Sequence, residues 1–487
     1  MLARTVTHAL VGLDPRRVEV EADLQGGVPG FAIVGLADRA CQEAKERVRS
    51  GIRSAELEWP VGRLTVNLAP AALRKEGSGF DLPIALAVLA ASRQIPPDRL
   101  AGHASVGELA LDGRIRPVGG TLAAAEGARR AGLTRLLCAA ASAPEAALAG
   151  IEPVPLRHLA EAAAYLRGAG DPPPYVAPVT NGRPDPVQPD LADVRGQERA
   201  RRALEIAAAG AHNLLLAGPP GTGKTMLARR LSGVLPPLTQ EEALEVTRIH
   251  SVVGLLEPGS PLVTVPPFRA PHHSASTAAI IGGGPGPRPG EASLAHRGVL
   301  LLDELPEFLR PALEALRQPL EDGVVSVARA RGQALFPAGF QLIATMNLCP
   351  CGARGDAAAA CTCSAQRLSA FRAKLSRALL DRFDLVVTVP RPRAHELAAG
   401  PGESSETVRA RVLVARERLT AAPPARSTAA GELLSRAVER VGLSGRGRAR
   451  TARVAQTVAA LAAAAEVLPE HLAEALSYRT PKELDQP

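Results

Sequence analysis

The string GPPGTGKT at residues 218–225 constrains this chain more than any other feature, because a glycine-rich loop of that spacing works between a buried strand and the start of a helix. Both neighbours are present: the apolar HNLLLA precedes it and the helix-forming TMLARRLSGVL follows. Gly218, Gly221 and Gly223 let backbone N–H groups turn inward around phosphates, and Pro219, Pro220 and Thr222 complete the loop. The helix N-terminus adds unpaired amides and a dipole that favour anions. Lys224 is expected on the β and γ phosphates and Thr225 on Mg2+, so ATP with Mg2+ is the expected ligand.

Two later strings supply what a hydrolytic site needs. GVLLLDELPEF places Asp303 and Glu304 at the end of a buried strand, Asp303 to hold Mg2+ and Glu304 to polarise the attacking water. Acids at strand ends are common, and the upstream loop is what gives these two their roles. FQLIATMNLCP reads as a second strand ending on Asn347, a polar group placed to hold the same water.

At 487 residues the chain is long enough for two or three domains. The stretch 169–190 is rich in proline and turn formers and lacks apolar periodicity, so it reads as a linker. Before it, RRVEVEADL and LTVNLAP read as strands, while DRACQEAKERVRSGIRS and GFDLPIALAVLAAS read as helices, giving a mixed α/β domain over 1–168. After it, 191–392 forms the nucleotide-binding core, and 393–487 is a helical domain with no strand signal from about residue 404. The apolar runs are too short or interrupted to span a bilayer, and the N-terminus lacks a signal-type block, so a cytoplasmic protein is expected. A net charge of +8 favours polyanionic partners, weakly, because arginine-rich chains are often basic without function.

LLDRFDL sets Arg382 between acids at a helix-to-strand junction, where a structural salt bridge is the routine reading. GPPGTGKT, LLLDEL, ATMN and LLDRFD, in this order, resemble an AAA+ ATPase, and the resemblance implies that Arg382 reaches into a neighbour's site. It implies a ring, in the usual case a hexamer. PPFRAPHHSASTAAIIGGGPGPRPGEASLAHRG and LEALRQPLEDGVVSVARARGQALFPAGF resemble the Mg-chelatase-related clade, and with MN-x-CPCG they resemble its ComM/YifB group along nearly the whole chain.

VVSVARA and ALFPAGF read as a hairpin with Arg329 and Arg331 near its tip. Related hexameric motors line their pore with a hairpin here, so these arginines either grip a phosphate backbone or lie on a solvated turn. His272 and His273 have no paired carboxylate or cysteine nearby and read as structural or inter-subunit. Cys349, Cys351, Cys361 and Cys363 fall in two C-x-C pairs, suiting a tetrahedral Zn2+ site with a tight bite, or alternatively free or redox-active thiols. Bound metal would pin the loop that carries Asn347.

Residues 426–453 hold seven arginines against Glu432 and Glu439. The resemblance points to a lid helix in LSGRGRARTARVAQTVAAL whose sensor arginine is Arg450 or Arg453. The chain departs from the family at Arg377-Ala378, where Gly-Pro is usual, which leaves the local loop geometry open. LRKEGSGFDLPIALAVLAAS and SVGELALDGRIRPVGGTLAAA resemble the proteolytic domain of Lon, but Gly79 stands at the serine position and Leu122 at the lysine position. Ser78 fits only with a slip of one residue. A Lon-like fold without proteolysis is therefore expected.

The expected architecture is α/β: a Lon-like domain, a P-loop core built on a parallel sheet, and a helical lid. The resemblance implies an ATP-driven motor on branched or single-stranded DNA that promotes branch migration during natural transformation. The alternatives are a chelatase-type motor acting on a metal-insertion partner and, less favoured, an ATP-dependent protease.

Overall fold

The computed structural model describes residues 1–172, 174–176, 189–256, 262–284, 287–329, 332–398 and 400–479. They form two compact units: the N-terminal region together with the helix Gln240–Val252, and most of the remaining chain.

The first unit is built on a seven-stranded mixed sheet in the order Gly30–Val34, Arg63–Ala69, Asp14–Gln25, Leu2–Val11, His103–Val106, Arg135–Ala139, Glu152–Leu156. The hairpin Leu2–Val11 with Asp14–Gln25 closes through Gly12, whose φ of 64° suits the tight two-residue turn. Val18, Val20 and Ala22 are buried at alternate positions of RRVEVEADL, as a period of two requires. Helix Asp81–Ala91 is buried along its whole length, which explains why its sequence is apolar all round. Helix Arg39–Ser54 is instead amphipathic, is capped by the Asp38 carboxylate on the Cys41 amide, and buries Cys41, Ala44, Val48 and Ile52.

The Lon-type positions sit where this sheet meets its helices. Leu122 is buried, and the Ser78 hydroxyl donates to the Glu108 carboxylate. Lys75 is wholly buried with its ammonium on the Pro70 carbonyl oxygen.

Helix Gln240–Val252, which lies within the expected 191–392 core in sequence, groups with the first unit in the structure. It buries Ala243, Val246 and Ile249 in the first unit, Arg248 pairs with Glu126 at 2.6 Å, and the Ser251 hydroxyl donates to Glu145. Burial raises the Glu145 pKa, against the hydrogen bonds that lower it.

The second unit holds a five-stranded parallel sheet ordered Phe268–Arg269, Val299–Leu302, Gln341–Met346, Leu214–Ala217, Leu385–Thr388. Every residue of the three central strands is buried, the expected pattern for a parallel sheet covered on both faces. Strands Val324–Arg329 and Gly332–Pro337 pair as the predicted hairpin. Arg331 lies outside the described residues, as does the side chain of Arg329.

Helices Ser405–Ala421, Thr428–Val441, Gly445–Leu461 and Pro469–Ser477 follow. Val408, Val412, Val454 and Val458 from this region share an apolar core with Leu204 and Ile206 of helix Glu198–Gly210. A short parallel ladder, Ala425–Arg426 with Glu466–Val467, corrects the all-helical expectation; two-residue strands are too short to leave a period. Among the described residues no helix is long and apolar enough to cross a membrane.

Candidate functional site

The phosphate loop begins where strand Leu214–Ala217 ends. At Gly218 a Cβ would lie 2.3 Å from the Val389 carbonyl oxygen, so the loop passes the last strand at a distance only glycine allows. Gly221 and Gly223 take φ of 73° and 89°, the left-handed turns that fold the loop over the start of helix Lys224–Val234. Gly223 offers that helix no side-chain cap, which leaves the first-turn amides for an anion.

Lys224 is buried and its ammonium donates to the Gly218 and Pro219 carbonyl oxygens at 2.8 and 2.7 Å and to Asn347 Oδ1 at 3.2 Å. Burial lowers its pKa, while Asp303 and Glu304 oppose that shift. The Thr222 hydroxyl closes the loop on Pro219 O at 3.0 Å, leaving Pro220 exposed at its rim. Thr225 Oγ1 donates to the two Asp303 oxygens at 2.9 and 3.1 Å, a hydroxyl and a carboxylate set as a Mg2+ site requires. Loop, lysine and oxygen pair therefore fit Mg2+–ATP.

Sequence reasoning missed Thr345. It lies in the buried strand Gln341–Met346 beside the Asp303 strand; its hydroxyl donates to Asp303 Oδ1 at 2.5 Å and accepts the Glu304 N–H at 3.0 Å. One side chain thus orients both acids, and only the hydroxyl within an apolar strand hinted at it. Glu304 itself adopts φ of 57°, a strained conformation for a residue other than glycine and typical of functional positions. His273 Nδ1 stands 3.9 Å from Glu304 Oε2, with the His272 ring tilted at 34° to its own and 4.1 Å away between centres. The carboxylate that was not evident near His273 in sequence is this one, brought in by the fold. Glu304, Asn347, Cys349, Arg367, Phe371 and Lys374 line a cavity of ≈ 480 Å³.

Arg382 is only 3% exposed and pairs with Glu321, rather than with the flanking acids, while its Nε and Nη1 make no hydrogen bond. Burial lowers its pKa, helped by the nearby charges of Arg446, Arg450 and Arg317. The Ser376 hydroxyl caps the helical turn Arg377–Leu380 ahead of it, so the Arg377-Ala378 departure is accommodated as regular helix. Arg450 Nε and Arg453 Nη2 lie 3.6 and 3.8 Å from Asp384 Oδ1, and Asp384 Oδ2 accepts the Asn213 amide at 3.0 Å. Because Asn213 precedes strand Leu214–Ala217 and the phosphate loop follows it, the structure divides the expected site residues between opposite ends of the sheet. Lys224, Thr225, Asp303, Glu304 and Asn347 gather at the carboxyl ends, and Arg382, Arg450 and Arg453 at the amino ends.

The Cys349, Cys351, Cys361 and Cys363 sulfurs all lie within 4.8 Å of one another, directly after Asn347. Zn–S bonds of about 2.3 Å place tetrahedral thiolates about 3.8 Å apart. The Cys349–Cys351, Cys351–Cys361 and Cys349–Cys361 separations of 3.3, 3.6 and 3.7 Å fit that spacing.

Residues 20–142 match the family described as subunit ChlI of Mg-chelatase, 190–397 the magnesium chelatase subunit ChlI family, and 423–479 the ChlI C-terminal family. The chain is 43% identical over 493 residues to the uncharacterized protein YifB of Escherichia coli, covering 97% of this chain and 96% of that one. It is 42% identical over 499 residues to competence protein ComM of Haemophilus influenzae, covering 98% and 97%. A Lon protease of Brevibacillus choshinensis is 27% identical over 25% of this chain and 16% of its own length. Likeness of that extent, on a chain with this phosphate loop and parallel sheet, means that the protein belongs to the ComM/YifB family of Mg-chelatase-like AAA+ ATPases.

Proposed function

We propose that the chain is one subunit of an ATP-driven ring, in the usual case a hexamer, that moves on branched or single-stranded DNA in the cytoplasm and promotes branch migration of recombination intermediates. The observation that carries this reading is the division of the site between the two ends of the sheet. A four-residue strand spans about 13 Å, so Arg382 cannot serve the phosphates held by its own Lys224 and instead completes a neighbour's site. Either Arg450 or Arg453, both on the same end and within the proposed lid of 393–487, acts with it as the sensor of the γ phosphate.

Within the core of 191–392, Gly218 to Gly223 hold the phosphates and Lys224 neutralises them. Glu304 polarises the attacking water and Asn347 holds it. Thr225 and Asp303 hold Mg2+, which screens the charge of the β and γ phosphates. Arg329 and Arg331 on the hairpin grip the DNA backbone, a role supported by the net charge of +8. The domain of 1–168, beyond the linker of 169–190, is a Lon-like collar without proteolysis, and the four thiolates hold Zn2+. The name of the ComM relative supports a place in natural transformation.

ATP turnover by the purified protein, with and without forked or four-way DNA and beside a Lys224→Ala control, tests this. Stimulation by branched DNA that the control lacks is expected; turnover indifferent to every DNA would move a chelatase-type role ahead.

A further inference from the structure

Resting on the ATP-site reading above, we propose that Zn2+ in the four-cysteine module braces the phosphate loop, so that metal occupancy regulates nucleotide binding. The module touches the loop at two points. Gly352, between the two cysteine pairs, has φ of 78°, and a Cβ there would lie 2.8 and 3.0 Å from Pro220 Cδ and Cγ. Its backbone thus rests against the loop's proline ring at a distance no side chain allows. At the other point Asn347, two residues before Cys349, accepts from the Lys224 ammonium at 3.2 Å.

The module has the features of a built metal site. Cys349 is buried while Cys351 and Cys361 are exposed, which gives a metal an anchoring ligand and an entry path. The Arg354 amide donates to Cys349 Sγ at 3.3 Å, a bond that stabilises a thiolate and orients its lone pairs. Asp356 ties the same loop to Arg391 at 2.8 Å, just past strand Leu385–Thr388. The segment from Gly352 to Cys361 contains no helix or strand, so the sulfur cluster that closes it adds to the Asp356–Arg391 pair in setting its conformation. With the metal in place Pro220 and Lys224 are held from two sides; without it both contacts loosen and the loop must be ordered by the nucleotide itself.

The test uses the full-length protein. Metal analysis is expected to find one zinc per chain, lost in a Cys361→Ser, Cys363→Ser double variant. Affinity for a fluorescent, non-hydrolysable ATP analogue is expected to weaken about tenfold on chelation and to recover when Zn2+ alone is returned. Gly352→Ala keeps the thiolates, so it is expected to retain zinc yet bind the analogue more weakly, which separates loop bracing from general unfolding. Absence of stoichiometric zinc, or zinc whose removal leaves affinity unchanged, would overturn the brace alone. A zinc-loaded protein that binds no analogue would overturn the ATP-site reading and the regulation with it.

Discussion

Thr345 shows how the site works at the scale of a single residue. Its hydroxyl fixes Asp303 and Glu304 together, so Thr345→Val should lower kcat about 10- to 100-fold with little change in nucleotide KM, and Thr345→Ser should recover most of the loss. Steady-state kinetics on the three proteins checks this; an equal fall in the serine variant would mean packing, not the hydroxyl, is responsible. His212 carries a pH dependence. Burial lowers its pKa from 6.5 to about 4, with Asp384 opposing and Arg453 adding to the shift, and its Nε2 meets Thr457 Oγ1 at 2.8 Å. Between those values the unfolded chain binds the proton and the folded chain does not, so stability falls as pH drops from 6.5 towards 4. Thermal melts across that window should therefore show a shallower acid decline for His212→Gln, although the variant starts from a lower midpoint at neutral pH.

Among the elements, those with a strong local signal were legible in sequence. GPPGTGKT dictates its own strand, loop and helix, and the mostly apolar runs VLLL and QLIATM read as buried strands, with Gln341 and Thr345 as the polar exceptions in the second. What sequence left hidden was the partner of each element. Helix Gln240–Val252 has apolar positions at helical spacing that suit any core, and its place in the first unit rests on matches with Glu126 and Glu145, more than a hundred residues away. Thr345 and the His273–Glu304 approach were hidden for the same reason, since both arise from neighbouring strands and loops distant in sequence. Ile249 is fully buried, so Ile249→Ala should cost about 2–5 kcal/mol, read as lower stability of the first unit in denaturant titration. Unchanged unfolding would place this helix elsewhere in solution.

For the whole molecule, charge and assembly decide the outcome. If Arg329 and Arg331 each contact a phosphate, replacing one by alanine should weaken DNA binding about equally for all sequences and reduce the salt slope by about 1, measured by titration over a range of salt. Lys224 and Arg382 lie at opposite ends of one sheet, so in the proposed ring each active site is completed by two subunits. The most direct measurement mixes two inactive proteins, Lys224→Ala and Arg382→Ala, under assembly conditions and follows ATP turnover. The mixture is expected to regain turnover absent from either parent, since a Lys224→Ala subunit still supplies its arginine to an intact phosphate loop next door. A mixture no more active than its parents, or an Arg382→Ala protein with full turnover, would contradict it.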